Sequence, residues 1–328
     1  MRRILSSLFY AVALSACMVQ AQERADSLPH SQLVTVENDV KLEVLDWGGT
    51  GRPLIFLAGL GNDAHVFDTF APQFTVHYHV YGITRRGFGN SSKPAPEIAN
   101  YTADRLGDDV LAVMTALHLE RPVLVGHSLA GEELSSVGSR YPQKLAGLIY
   151  LDAGYGYAYY DAAHGETLFD FFRVKKDLDE FTSGQVRDPG HAVQEMAADV
   201  SMFDRDLQEA IQRDPAVPEL HPPSAAIPPI ALAINLGGEK YRNIPVPILA
   251  IFACPHNFDF DRALRNHPRL KAEIVADDAF TTARQAEAFA AGVPSAHIVR
   301  LANADHYVFR SNEADVVREM NAFLSHLP

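Results

Sequence analysis

Gly126-His127-Ser128-Leu129-Ala130-Gly131 is the segment whose residue types could do covalent chemistry. It follows an apolar run, Pro122–Val125, and precedes a stretch of helical character. A serine on a tight strand-to-helix turn is the nucleophile-elbow pattern. The turn strains the serine backbone, so the residues two places to either side must be small for strand and helix to approach. Gly126 satisfies this, and Ala130 does so with one extra methyl. The serine also opens a helix, where backbone N–H dipoles favour a developing anion. The expected chemistry is attack by Ser128 on an acyl carbonyl, which needs a base. Of the 14 histidines, His306 is selected by position, after the last predicted strand and before the final helix. His127 is expected to shape the elbow, and His65 to line a pocket or to pack.

The elements that must position these residues alternate. Leu33–Val36 and Lys41–Leu45 flank the turn signal Asn38-Asp39 and predict a β-hairpin. Continuous apolar runs at Pro53–Ala58, Tyr78–Thr84, Val123–Val125, Leu145–Leu151, Pro247–Phe252 and Ala296–Leu301 suit a parallel sheet covered on both faces. Helical spacing recurs at Thr102–Leu117, with Thr102 as N-cap, and at Asp277–Ala291 and Asn312–Leu327. Regular alternation predicts an α/β fold. Between Tyr155 and Asn243 the strands disappear, helical stretches such as Ala192–Phe203 replace them, and aromatics are dense. Such a segment needs something to pack on, and a helical cap over the sheet provides it.

The chain resembles α/β-hydrolase-fold proteins, in the style of capped serine esterases and the related epoxide hydrolases and haloalkane dehalogenases. Besides the elbow, Leu57-Ala58-Gly59-Leu60-Gly61 resembles the His-Gly-x-Gly oxyanion loop, with Ala58 where His is frequent. Thr84-Arg85-Arg86-Gly87-Phe88-Gly89-Asn90-Ser91-Ser92 resembles the Arg-Gly-x-Gly-x-Ser loop, and Ala304-Asp305-His306-Tyr307 the segment of the family's catalytic histidine. The resemblance implies a mostly parallel eight-stranded sheet flanked by helices with an inserted helical cap. It divides the chain into a hydrolase core at 22–154 and 244–328 and a cap at 155–243. It also implies oxyanion donors on the amides of Leu60 and Leu129, each typically worth about 2.7–4 kcal/mol to a transition state.

The resemblance leaves two candidates for the acid. The usual loop, after the seventh strand, reads Ala253-Cys254-Pro255-His256-Asn257-Phe258-Asp259, with His256 and Asn257 where an Asp is expected. Asp259 and Asp261 come a little late. Asp152, ending Leu148-Ile149-Tyr150-Leu151, matches the sixth-strand position that the dehalogenase branch uses. Asp152 ranks first and Asp259 second. Because Ser128 stands where epoxide hydrolases and dehalogenases carry Asp, an alkyl-enzyme mechanism is disfavoured. The alternatives are a C–C bond hydrolase or acyltransferase on the same triad, or a non-catalytic ligand-binding protein on the same fold.

Composition limits the partners. Hydrophobic residues make up 47% and charged residues 21%, which is ordinary for a globular protein. Net charge is −13, with no basic run, and this argues against nucleic acid. The histidines show no metal-ligand spacing, and no phosphate loop or dinucleotide fingerprint occurs, so neither metal nor cofactor is expected. A small acyl substrate is the expected partner. Met1-Arg2-Arg3, the apolar run Ile4–Ala16 and the small residues after it read as a signal peptide over 1–21. The expected location is therefore periplasmic or secreted. Two cuts compete: Val19-Gln20-Ala21 before Gln22, or the lipobox-like Leu14-Ser15-Ala16-Cys17, which would tether the protein through a lipid on Cys17.

Overall fold

A computed structural model describes residues 29–184, 186, 188–213, 226–259 and 267–328. The expected signal segment, Cys17 and Asp261 lie outside the described residues. The strands are β1 His30–Glu37, β2 Val40–Gly48, β3 Pro53–Leu57, β4 His79–Ile83, β5 Val123–His127, β6 Gly147–Leu151, β7 Ile248–Ala253 and β8 Ala296–Leu301. They form one eight-stranded sheet in the order β1-β2-β4-β3-β5-β6-β7-β8. β2 runs antiparallel to β1 and β4, and the remaining pairs are parallel. The hairpin closes at Asn38-Asp39, where Asp39 takes φ 65°.

The helices are α1 Ala103–Ala116, α2 Gly131–Arg140, α3 Thr167–Ser183, α4 Pro189–Arg213, α5 Pro229–Leu236, α6 Pro268–Gly292, α7 Val308–Ser311 and α8 Glu313–Ser325. Thr102 caps α1, its side chain accepting from the Arg105 amide at 3.2 Å. Two predicted helices differ in extent. The one expected from Asp277 begins nine residues earlier, at Pro268, a residue whose fixed φ suits a first helical turn. The last, expected over Asn312–Leu327, runs Glu313–Ser325, and Asn312 stands just outside it at φ −127°, ψ 39°.

The apolar runs are explained by the two faces of the sheet. Ile55, Leu57, Leu124, Leu148, Tyr150, Ala250 and Phe252 belong to one buried cluster, together with residues of α1, α2 and α6. Their neighbours Leu54, Phe56, Val125, Ile149, Leu151 and Ile251 belong to the other, with Val316, Met320 and Leu324 of α8. Side chains alternate between faces with period two. A strand covered on both sides therefore has no place for polar residues. α3, α4 and α5 all lie between β6 and β7 in the chain, as an excursion from the sheet. Tyr160, Phe169 and Phe172 are buried there, whereas Phe171 is 44% exposed and packs edgewise on Phe172.

Candidate active site

β5 ends at His127, and the next residue, Ser128, takes φ 53°. A non-glycine residue in the left-handed region is strained and persists only where its surroundings hold it. Those surroundings are close. A Cβ added to Gly126 would lie 2.7 Å from a Leu134 methyl on α2, which is why a glycine precedes the serine by two places. A Cβ on Gly59 would lie 2.9 Å from Ser128 Cβ and 3.0 Å from His127 Nδ1. The loop after β3 is thus packed directly on the serine. It continues into Leu60, which is half-buried and shares an apolar cluster with the buried Leu129.

His306 lies between β8 and α7. Its Nε2 is 2.9 Å from Ser128 Oγ, and its Nδ1 is 2.7 Å from Asp152 Oδ2. Asp152 follows β6 directly, is fully buried and takes φ 49°. Its other oxygen accepts from the Ala253 amide at 2.9 Å and from the Tyr155 hydroxyl at 2.7 Å. Burial alone would raise the pKa of this carboxyl. Hydrogen bonds from His256 and His306 outweigh burial and hold it well below the usual carboxylate range.

The structure therefore brings Ser128, His306 and Asp152 together. Asp259, the other candidate acid, is not among them: its side chain is 74% exposed and pairs with Lys271. The Asn257 side chain turns the chain there by accepting from the Asp259 amide at 2.8 Å, and this directs Asp259 outward. His65 lies on the loop after β3, near the oxyanion segment. It pairs with Asp68 at 2.8 Å and is 42% exposed.

Two histidines flank the trio with opposite charge states. His127 is buried, and its Nε2 donates to the His306 carbonyl at 3.0 Å. Burial and the neighbouring His306 push its pKa down to about 3, so it is neutral and ties the elbow to the loop of His306. His256 sits where the resemblance placed an acid. Its Nε2 is 2.7 Å from Asp152 Oδ2, and its Nδ1 is 2.8 Å from Asp278 Oδ1 on α6. Burial would lower its pKa, but the two carboxylates raise it to about 10. Asp152, His256 and His306 offer side-chain donor atoms within 4.8 Å of one another. Both nitrogens of His256 face carboxylates, so this ring is held as a cation with no lone pair to give a metal.

Three further residues were not assigned from sequence. Tyr157 packs in the apolar cluster of Leu129, the residue after Ser128. Arg85 binds Glu133 of α2 through two bonds of 2.6 and 2.7 Å and donates to the Ala58 carbonyl at 3.1 Å. This bidentate pair locks the end of β3 to the helix that follows the serine. Asn62, in the loop after β3, donates to the Tyr307 hydroxyl at 3.0 Å and so links that loop to the neighbour of His306.

A sheet of this order, with a strained serine after β5 and a histidine and carboxylate meeting it from later strand ends, defines a hydrolase-type architecture. A family model described as the alpha/beta hydrolase fold matches residues 52–207. Among curated relatives, a fluoroacetate dehalogenase of Burkholderia sp is 35% identical over 32% of this chain and 35% of its own length. A putative esterase/lipase of Haemophilus influenzae is 30% identical over 37% of this chain and 41% of its own length. The chain thus spans well under half of these two relatives. An epoxide hydrolase structure from Bacillus megaterium superposes with TM-score 0.57 at 18% identity, covering 90% of this chain and all of that one. The chain has the α/β-hydrolase fold. No helix among the described residues is long and apolar enough to cross a membrane.

Proposed function

We propose that the protein is a serine hydrolase that cleaves small carboxylic esters or related acyl compounds through an acyl-enzyme on Ser128. The observation that carries this reading is the continuous chain from Ser128 Oγ to His306 Nε2 at 2.9 Å and from His306 Nδ1 to Asp152 at 2.7 Å. In this reading Ser128 Oγ attacks the acyl carbonyl while His306 Nε2 takes its proton. The tetrahedral oxyanion accepts hydrogen bonds from the Leu60 and Leu129 amides. His306 then returns the proton to the departing alcohol, and water repeats the sequence to release the acid. Asp152 stays ionised, keeps the Nδ1–H tautomer of His306 and stabilises the imidazolium. The dehalogenase and epoxide hydrolase relatives do not extend to this chain's chemistry, because an alkyl-enzyme needs a carboxylate nucleophile and Ser128 has none.

The test is Ser128→Ala. It removes one small hydroxyl, so the fold should persist while p-nitrophenyl acyl ester turnover falls by at least about 10³-fold. Unchanged turnover by the purified variant rejects the reading. We also propose that residues 1–21 direct export, with a soluble mature chain from Gln22 or a lipid-tethered one from Cys17. Mass spectrometry of material exported by a bacterial host should show one of those two starts. Mature, active protein that retains Met1 would contradict export.

A further inference from the structure

A cavity adjoins the proposed nucleophile. Leu129, Glu132, Tyr157, Glu166, Phe169 and Asn235 line a cavity of about 30 Å³. Leu129 follows Ser128 in the chain and packs with Tyr157, and both line the cavity, so a substrate on the serine lies against this space. The walls are largely apolar and aromatic, and no basic residue is among those lining it.

Glu132 is the anomaly. It stands four residues after the serine, in the first turn of α2, and is 1% exposed. Its Oε1 has no hydrogen-bond partner among the described residues. Buried carboxyl oxygens are ordinarily satisfied, and one that is not calls for an explanation. Two charged groups of the protein lie nearby, and neither is hydrogen-bonded to Glu132. Arg85 is held to Glu133 through Nε and Nη2 at 2.6 and 2.7 Å, while its Nη1 has no partner among the described residues. The Glu166 carboxyl caps α3, accepting from the Leu168 and Phe169 amides at 3.2 and 2.8 Å. No group of the protein donates to this carboxyl oxygen, which lines the cavity and is open to a donor that enters it.

We infer that Glu132 receives a primary ammonium group carried by the substrate, so that the preferred esters of Ser128 bear an amine at one end. This rests on the reading of Ser128 as nucleophile. A primary ammonium offers three N–H donors to the unpartnered oxygen, whereas a quaternary one offers none. The rings of Tyr157 and Phe169 suit a cation as neighbours. Burial and the charges of Glu133 and Glu239 push the Glu132 pKa well up against the opposing charge of Arg85, and an ammonium brought beside it would draw it back down.

The experiment uses p-nitrophenyl esters whose straight acyl chains, over a range of lengths, end in ammonium, hydroxyl or methyl. At one length, kcat/KM for the ammonium ester should exceed that for the methyl ester by at least about tenfold, the scale of a charge-assisted hydrogen bond. Glu132→Gln, which is isosteric, should bring that ratio to about one or below, with near-ultraviolet circular dichroism confirming the fold. A wild-type enzyme that favours the methyl or hydroxyl ester at every length overturns the inference. So does an ammonium preference that survives Glu132→Gln. If no ester is turned over, the reading of Ser128 fails instead, and calorimetry on Ser128→Ala decides Glu132 separately. An alkylammonium should then bind more tightly than the alcohol of equal length, and the difference should vanish when Glu132→Gln is added; equal binding overturns the inference.

Discussion

His256 is expected to make the stability of this protein depend on pH in a way that one substitution removes. Both its ring nitrogens face carboxylates, Asp152 at 2.7 Å and Asp278 at 2.8 Å. A neutral imidazole has one N–H, so only the cation can donate to both. Burial opposes that cation, yet the two acids raise the pKa to about 10. The unfolded value is about 6.5, and each unit is worth about 1.36 kcal/mol, which gives an upper figure of about 5 kcal/mol. Asp152 and His256 report the same pair, so this energy is counted once. The folded pKa lies above the unfolded one. The stabilisation is therefore complete below about pH 6.5 and is lost as pH rises through about 10, at about 1.4 kcal/mol per unit between them. Urea unfolding of the wild type and His256→Asn at pH 6.5, 7.5, 8.5 and 9.5, roughly unit steps across that window, measures the gap. Groups common to both proteins cancel in the difference. The gap should shrink steadily with rising pH. A gap that is constant, or that grows toward pH 9.5, refutes the cationic His256.

Asp152→Asn keeps the shape but removes the counter-charge and the tautomer control, and ester turnover should fall by about 10⁴-fold. Asp259→Asn, made in parallel, should be nearly silent because it breaks only an exposed pair with Lys271; a crippled Asp259→Asn beside an active Asp152→Asn reverses the assignment. Gly59→Ala places a methyl 2.9 Å from Ser128 Cβ, and the displaced serine should lose roughly 10²-fold in kcat while stability falls by about 1–3 kcal/mol. Steady-state kinetics alongside urea melts checks this, and wild-type kcat would show that the loop yields instead of the serine.

The legible part of this molecule is the part governed by local chemistry. Two-sided burial writes itself into the sequence as apolar runs, which is why β3, β5, β6 and β7 could be read within two residues or so of their ends. Ser128 was legible because a strained turn needs small neighbours at fixed offsets. Asp152 was legible through its place at the end of a strand next to that of the serine, with resemblance supplying the precedent. What escaped reading depends on packing between distant elements. Asp278 sits on α6, 22 residues beyond His256, and nothing in either local segment announces their bond. Tyr157 is one of several tyrosines in an aromatic stretch, and its packing beside Leu129 arises only when the segment after β6 folds back over the elbow. Glu132 reads in sequence as an ordinary acid in a first helical turn, and its isolation is visible only in three dimensions. The early start of α6 did carry a signal, Pro268, which marks a first helical turn without extending the apolar periodicity.

The measurement closest to the central claim is covalent labelling. A fluorophosphonate reacts with a serine only when a base activates the hydroxyl and an oxyanion site receives the phosphoryl oxygen. Purified protein treated with an alkyl fluorophosphonate, digested and analysed by tandem mass spectrometry, should carry one adduct on the peptide containing Ser128. Ester turnover should disappear in proportion to labelling, and neither Ser128→Ala nor heat-unfolded protein should be labelled. Full esterase activity in protein that takes up no label, or a label on a different serine with activity lost, would contradict Ser128 as the nucleophile.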